Sequence, residues 1–443
     1  MIPLPEDFEK RVQQDPFLNA TILESLNSTA PVSVRLNLIK TNPNLTFSDT
    51  VPWCNGGFYL EKRPVFTLDP LFHAGCYYPQ EAGSMVLDEV FKQLDLPSEP
   101  KFLDLCAAPG GKSTLIASFL EGKGLLVANE FVHSRAMVLK ENLTKWGVSN
   151  VVVTNNKPAD FNQLPHFFDV ILADVPCSGE GMFRKDPESR KEWSLKNVEM
   201  CALRQQQIIE DAWNALAPGG YLIYSTCTLN ADENESNVKW VSSALNAEIV
   251  ELEIHESFKK GRDGVGYYAI PGITMSEGFF IAVLRKGEES PPKMKKVSFS
   301  DWKPYKDMDA IKDLVQVSDH HFFHWKDFIL TFPQSISESL HQILGSKLYV
   351  IKTGTTLGSM VGKKIIPSEE LALNPYLRLD NESIQLTLEQ ALQYLKGETF
   401  NIPTQRGYVL VNFQNEPLGW INHLGNRFNN MYPKEWRIRM KIN

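Results

Sequence analysis

Several features are scarce in this chain, and each scarcity removes a class of protein. None of its six cysteines (54, 76, 106, 177, 201 and 227) pairs at the CxxC spacing of a zinc site or thioredoxin-like motif. In a reducing compartment they are thiols, and no metal site is expected. No uninterrupted run of about 18 apolar residues occurs, which excludes a membrane-spanning helix. The opening MIPLPEDFEKRVQQ lacks the basic and apolar regions of a secretory signal, so a cytosolic, non-membrane protein is expected. No repeat at a 20 to 50 residue period is evident, which removes solenoids and propellers. Positive charge is in deficit, with 45 Lys and Arg against 53 Asp and Glu, a net charge of -8. By itself that argues against a nonspecific nucleic-acid binder.

What is present changes the last reading. Lys plus Arg against Asp plus Glu is 25 to 36 over residues 1 to 285, but 20 to 17 over residues 286 to 443. Between Arg427 and Lys441 stand Arg427, Lys434, Arg437, Arg439 and Lys441 against Glu435 alone, a candidate phosphate-contacting edge. The 443 residues, 43% hydrophobic, suffice for two to four packed domains.

The clearest boundary is KGEESPPKMKK from Lys286, where two prolines and crowded charges displace apolar residues. Upstream, KFLDLC, GLLVAN, NVVVT, FDVILAD, GGYLIYS and GFFIAVL read as strands, alternating with helical patterns such as SRAMVLKENLTKW and VEMCALRQQQIIEDAWNAL. Such alternation predicts an α/β, doubly wound parallel sheet with ligands beyond the carboxyl ends of its strands. The expected layout is a small α+β domain over 1–95, a Rossmann-like domain over 96–285, a linker over 286–299 and a β-rich domain over 300–443. In the last, SKLYVIK and GYVLVNF read as strands and TLEQALQYL as a helix.

FLDLCAAPGGKST runs from a strand through a Pro-Gly-Gly turn into a helix near Lys112, exposing backbone amides to a ligand with oxygen acceptors. A P-loop would need Gly at position 106, where Cys106 stands, so the ATPase reading fails. Glu130 closes the second strand, 20 residues beyond Gly110, and is placed to accept two ribose hydroxyls rather than to sit as an idle loop acid. Asp174 and Cys177 follow the fourth strand and Cys227 the fifth, so all three should face one crevice. Buried space-filling is the ordinary role of a free cysteine and is assigned to Cys54, Cys76 and Cys201. Cys177 and Cys227 lie instead in polar turns, where a thiolate can attack carbon. Asp174, otherwise a turn or cap acid, can hydrogen-bond a ring nitrogen there.

At these residues the sequence resembles the Nop/Sun family of S-adenosylmethionine-dependent RNA cytosine-C5 methyltransferases, through QEAGSM, DLCAAPGGKS, the Glu130 strand end, DVPCSGEG and STCT. Its whole-chain layout is most similar to the family's bacterial RsmF type, which acts on 16S ribosomal RNA and carries a C-terminal PUA-like extension resembling PLGWINHLGNRFNNMYPKEW. The resemblance implies a class I methyltransferase fold flanked by RNA-binding domains at both ends. It implies that Cys106, Ala107, Ala108, Pro109, Gly110, Gly111, Lys112 and Glu130 hold S-adenosyl-L-methionine, that Asp174 serves cofactor or base, that Cys227 is the nucleophile and that Cys177 assists release. Lys112 could orient the motif or contact the base. Two positions depart from the family pattern. Val175 stands for Ala, and Lys157 stands where an Asp near the adenine is usual, leaving Asn156 or Asp160 to take over. The implied substrate is 16S rRNA in the small ribosomal subunit, met by a monomer; a tRNA substrate, or a noncatalytic assembly factor on the same fold, is the alternative.

Overall fold

The computed structural model describes residues 2–18, 21–288, 302–311, 314–315, 318–325, 327–362, 364–377 and 383–440. The expected linker therefore lies outside the described residues from 289 onward, as does Lys441 of the basic tail.

The first helix, Glu6–Gln14, has Glu6, Asp7 and Glu9 in its first turn and Arg11 in its last, the arrangement a helix dipole favours. Phe8 and Val12, one turn apart, are its buried residues. The Phe8 ring meets Phe183 and Trp193 edge-on at 5.0 and 5.7 Å, so this helix is built into the core flanking the central sheet. A four-stranded antiparallel sheet follows, with β1 (Val32–Leu36), β2 (Phe47–Thr50), β3 (Gly57–Leu60) and β4 (Tyr77–Tyr78) in the order β2-β3-β1-β4.

The central sheet is built on β5 (Lys101–Asp104), β6 (Leu125–Asn129), β7 (Val151–Thr154), β8 (Phe168–Asp174) and β9 (Leu216–Thr226), all parallel. Every residue of β6 and β7 is buried, which is why these strands read as unbroken apolar runs. Beyond β9 come β10 (Ala247–Val250), β11 (Lys259–Lys260), β12 (Tyr267–Ala269) and β13 (Phe279–Lys286). Here the parallel expectation needs correcting. GFFIAVL forms β13, which pairs antiparallel with β9, Thr226 opposite Phe280. Between β9 and β13 the chain passes through the helix Glu235–Ala244 and then through β10, β11 and β12, and β13 enters the sheet against β9 from the opposite direction.

The stretch expected as one β-rich unit after residue 300 carries two sheets. One, of five strands within 303–367, is antiparallel throughout. From its middle the strand Val350–Thr353 departs to pair antiparallel with β7, Thr353 opposite Val152, and so extends the central sheet. The other, over 383–430, holds GYVLVNF as Gly407–Phe413. Its helix Leu388–Lys396 is started by a reciprocal cap between Thr387 and Gln390. The apolar faces of this last sheet and of the N-terminal sheet merge into one core, Val34 and Tyr77 with Tyr394 and Val411. Between them the ammonium of Lys40, 9% exposed, donates to the carbonyls of Ala74, Lys145 and Leu373 at 2.7, 2.8 and 2.9 Å.

Candidate active site

The carboxyl ends of β5, β8 and β9 open onto a cavity of about 400 Å³, closed on its other side by Tyr78–Glu81 of the N-terminal segment and by Glu277–Phe279. Cys106, Ala107, Ala108, Pro109, Gly111, Lys112, Asp174 and Cys227 line it. Glu130, Lys157, Gly110 and Cys177 are not among its lining residues.

The loop after β5 passes through a cis Ala108–Pro109 bond to Gly110, whose φ of +118° lies in the region that favours glycine. The helix Gly111–Leu120 begins there, and a Cβ at Gly111 would stand 3.2 Å from the Tyr78 ring at the cavity wall. A bare helix N-terminus beside a cavity suits a ligand carrying a carboxylate or hydroxyls. Directly beneath, Asp104 is fully buried. Its Oδ2 accepts from Ser113 Oγ at 2.6 Å, while Oδ1 has no partner. Burial, against the Ser113 bond, lifts the Asp104 carboxyl to about 7. The sequence reading passed over Asp104, although its place as the last residue of the first strand was the available signal.

Asp174 ends β8 with both oxygens engaged. Oδ2 accepts from Lys112 Nζ at 2.7 Å and Oδ1 from Ser225 Oγ at 2.8 Å. Burial works against the Lys112 charge, but the Asp174 carboxylate more than offsets it and holds the ammonium above its ordinary pKa. The two turn cysteines meet: Cys177 Sγ lies 2.7 Å from Cys227 Sγ, and the Cys227 amide donates to Cys177 Sγ at 3.3 Å. The Cys227 contact, then burial, pushes the Cys177 thiol well up. Burial first, then the carboxylates of Asp174, Asp104 and Glu130, also raises the Cys106 thiol, which disfavours a thiolate at Cys106. Val175, the departure beside Asp174, is buried and its amide donates to the Ser225 carbonyl.

Glu130 directly follows β6, but its Oε1 accepts from the Val132 amide at 2.9 Å, and Oε2 lies 3.6 Å from Arg135. Arg135 in turn donates to the Ala108 carbonyl at 2.8 Å, tying the two loops. The expectation that Asn156 or Asp160 replaces an adenine-side acid meets a physical obstacle. Asn156 is clasped to the C-terminal strand entry, donating to the Tyr349 carbonyl at 3.1 Å and accepting its amide at 2.9 Å. Asp160 accepts from the Lys157 amide at 2.9 Å, and Lys157 itself is exposed. Sequence reasoning also missed Lys185 and Glu277 at the cavity rim, which no strand-end pattern marks.

Comparison with known proteins agrees along the chain. The pattern of the N-terminal domain of 16S rRNA methyltransferase RsmF matches residues 4–82, that of 16S rRNA methyltransferase RsmB/F residues 92–285, and that of the methyltransferase RsmF PUA domain residues 381–438. The chain is 32% identical over 436 residues to ribosomal RNA small subunit methyltransferase F of Citrobacter koseri, covering 92% of this chain and 88% of that protein. It is 33% identical to the Escherichia coli O157:H7 protein of the same name, covering 91% and 89%. Among solved structures, a methyltransferase homolog protein from Pyrococcus horikoshii is 29% identical, with a TM-score of 0.51 over 60% of this chain and 89% of that one. The fold is also shared with NSun6 from Pyrococcus horikoshii with SFG, at 22% identity and a TM-score of 0.56 over 65% of this chain and all of that one. Three RsmF-type segments in succession and this identity over nearly the whole length make the chain a member of the RsmF family of ribosomal RNA small subunit methyltransferases, RNA methyltransferases that use a cofactor of the S-adenosylmethionine type.

Proposed function

We propose that the protein methylates carbon 5 of a cytosine in 16S rRNA, with S-adenosyl-L-methionine as donor and a covalent Cys227 adduct as intermediate. The observation that carries the reading is the Cys177–Cys227 contact at the rim of the cavity that holds the Lys112–Asp174 pair. The cavity fits the cofactor: the N-terminus of Gly111–Leu120 would take its carboxylate, and the unpartnered Asp104 Oδ1 offers an acceptor for its ammonium. When bound, the cofactor supplies an electrophilic methyl group.

The chain's own residues do the rest. Cytosine carbon 5 is a poor nucleophile until the Cys227 thiolate adds to carbon 6, which moves the ring's electron pair to carbon 5. Asp174, fixed by Lys112 and Ser225, holds the base by its ring nitrogen or amino group as charge develops. Cys177 keeps its proton in the resting site because its pKa is raised, and it hydrogen-bonds the Cys227 sulfur. Having lost that proton to solvent, Cys177 is a strong enough base to take the carbon 5 proton. The bond from Cys227 Sγ to carbon 6 then breaks and restores the ring. One proton is released per turnover.

Bisulfite sequencing of rRNA and tRNA from a deletion strain tests substrate and product together: loss of one 16S 5-methylcytosine is expected. Loss of a tRNA mark instead, or of none, would overturn the assignment. Cys227→Ala should abolish methyl transfer and form no adduct, whereas Cys177→Ala should accumulate an enzyme-RNA species that survives denaturing electrophoresis. The reverse pattern would exchange the two roles.

A further inference from the structure

Glu233, in the turn after β9, takes no part in the mechanism above, although its carboxyl is wholly buried beside the two cysteine turns. Its Oε2 accepts from the Ser178 amide at 3.0 Å and from Gln205 Nε2 at 2.7 Å, and its Oε1 from Asn230 Nδ2 at 2.8 Å. Gln205 Nε2 also donates to the Pro176 carbonyl at 3.0 Å, so the two side chains grip the chain on both sides of Cys177. Asn230 Nδ2 reaches Thr228 Oγ1 at 2.8 Å, and that hydroxyl lies 3.0 Å from Ser178 Oγ, which carries the contact to the residue after Cys227.

Holding two turns together needs acceptors, and the charge of this group calls for a further reason. Burial raises the Glu233 carboxyl while the Ser178 and Asn230 bonds lower it. The N–H donors around it suit the ionised form, since an acid would also need an acceptor for its own proton. Those donors are amides, not cations, and a carboxylate is costly to bury on such terms. Its position gives the charge a target. Covalent geometry keeps a cysteine sulfur within about 4.5 Å of the next residue's nitrogen, which places the carboxylate no more than about 7.5 Å from Cys177 Sγ. At that range in a protein interior a negative charge opposes ionisation of a thiol by about one to two pH units. The Cys227 contact and burial already raise the Cys177 thiol, and the Glu233 charge adds to both.

The other ionisable groups around the pair do not undo this. Burial keeps Tyr224 and Cys201 protonated. Glu180 reaches the Leu229 amide and Asn230 rather than a residue flanking either sulfur. Lys112 and Asp174 neutralise each other on the cavity side, and Arg204 and Asp232, next in the chain to Gln205 and Glu233, are exposed. We propose that Glu233 is a positioning residue that decides which of the two thiols ionises: tied to the Ser178 amide, its charge keeps the proton on Cys177 and leaves Cys227 to become the thiolate. The consequence for catalysis rests on the reading in which Cys227 attacks, but the place of the proton can be measured without RNA.

The test uses the full chain. Initial rates of iodoacetamide alkylation are followed against pH and read peptide by peptide by mass spectrometry, folded and in urea. Because only the thiolate reacts, the midpoint of each curve reports ionisation rather than access. The Cys177 midpoint should lie higher in the folded chain than in urea, and Glu233→Gln should lower the folded midpoint by about 1 unit. Gln205→Lys, which sets a cation against the same carboxylate, should lower it likewise and decides the matter if the first variant does not fold. In single-turnover methyl transfer to 16S rRNA, Glu233→Gln should slow the wild type about tenfold but the Cys177→Ala protein less than about twofold, because without Cys177 there is no proton to misplace. A side chain that only held the turns would slow both backgrounds alike and leave the Cys177 midpoint unmoved, and either result overturns the proposal. A lowered midpoint together with no RNA adduct in Cys177→Ala would refute the preceding reading and leave this one standing.

Discussion

Replacing Asp104 with Asn removes one ionisable group that has no exposed surface, and its effect can be worked from the structure. The carboxyl titrates near 7 in the fold, against an ordinary 3.8, because burial penalises its charge. Between those values the folded chain holds a proton that the unfolded chain has released, so stability is fully present below 3.8 and is lost as pH rises through 7. The whole window spans roughly 3 units, or about 4 kcal/mol at 1.36 kcal/mol per unit. From pH 5.5 to 8 only about 1.5 units of it are crossed, which amounts to about 2 kcal/mol. Asn has the carboxyl's shape and an oxygen for Ser113 but no charge to penalise. Urea unfolding of the cofactor-free protein at pH 5.5 and 8 should therefore show wild type losing about 2 kcal/mol more than Asp104→Asn over the interval. The comparison cancels other titrating groups, including Lys40, whose burial lowers its pKa to about 8. Equal pH slopes for the two proteins would refute the argument, because they would mean that Asp104 is solvated or already ionised at no cost.

Two further outcomes follow from side chains whose surroundings are now known. Arg427, Lys434 and Arg439 are exposed, whereas Arg437 is half-buried against Gly397 with its Nε unpartnered. Alanine at the three exposed sites should flatten the salt dependence of RNA binding by up to about 3 in log-log slope, while Arg437→Ala should chiefly lower the melting temperature; filter binding from 50 to 200 mM salt and a thermal scan separate the two. Asn156→Ala deletes both side-chain bonds to Tyr349 and should cost about 1 to 3 kcal/mol of stability, with calorimetric affinity for S-adenosyl-L-methionine unchanged; a tenfold loss of that affinity would restore Asn156 to the cofactor.

The central strands were legible because burial on both faces of a sheet writes itself as apolar runs, and the position of Asp174, Cys177 and Cys227 followed from strand ends alone. Local pattern also marked Leu388–Lys396, since a reciprocal Thr387–Gln390 cap is encoded within four residues. Pairing across sequence distance was illegible. SKLYVIK reads as a strand, but nothing local says that Val350–Thr353 joins β7, nearly 200 residues earlier, rather than its neighbours in the five-stranded sheet. The same holds for Phe8, whose helix is amphipathic in any context and whose partners Phe183 and Trp193 come only with the fold. Asp104 escaped because its unusual state is a property of what surrounds it, and the Tyr349 partner of Asn156 was not foreseeable because it arrives from another part of the chain.

The strand Val350–Thr353 has a consequence for how the protein is made. Until it emerges, β7 is the outermost strand of the central sheet, and its VVVT sequence offers unpaired amides and carbonyls with no charge or proline to repel another chain. At about 5 to 20 residues per second, a ribosome needs roughly 10 to 40 s to travel from β7 to its cover. Through that interval the nascent chain carries a sticky flank that only its own later synthesis can seal. A product released early, after the catalytic residues but before residue 350, would hold every group of the active site and still be prone to edge-to-edge aggregation.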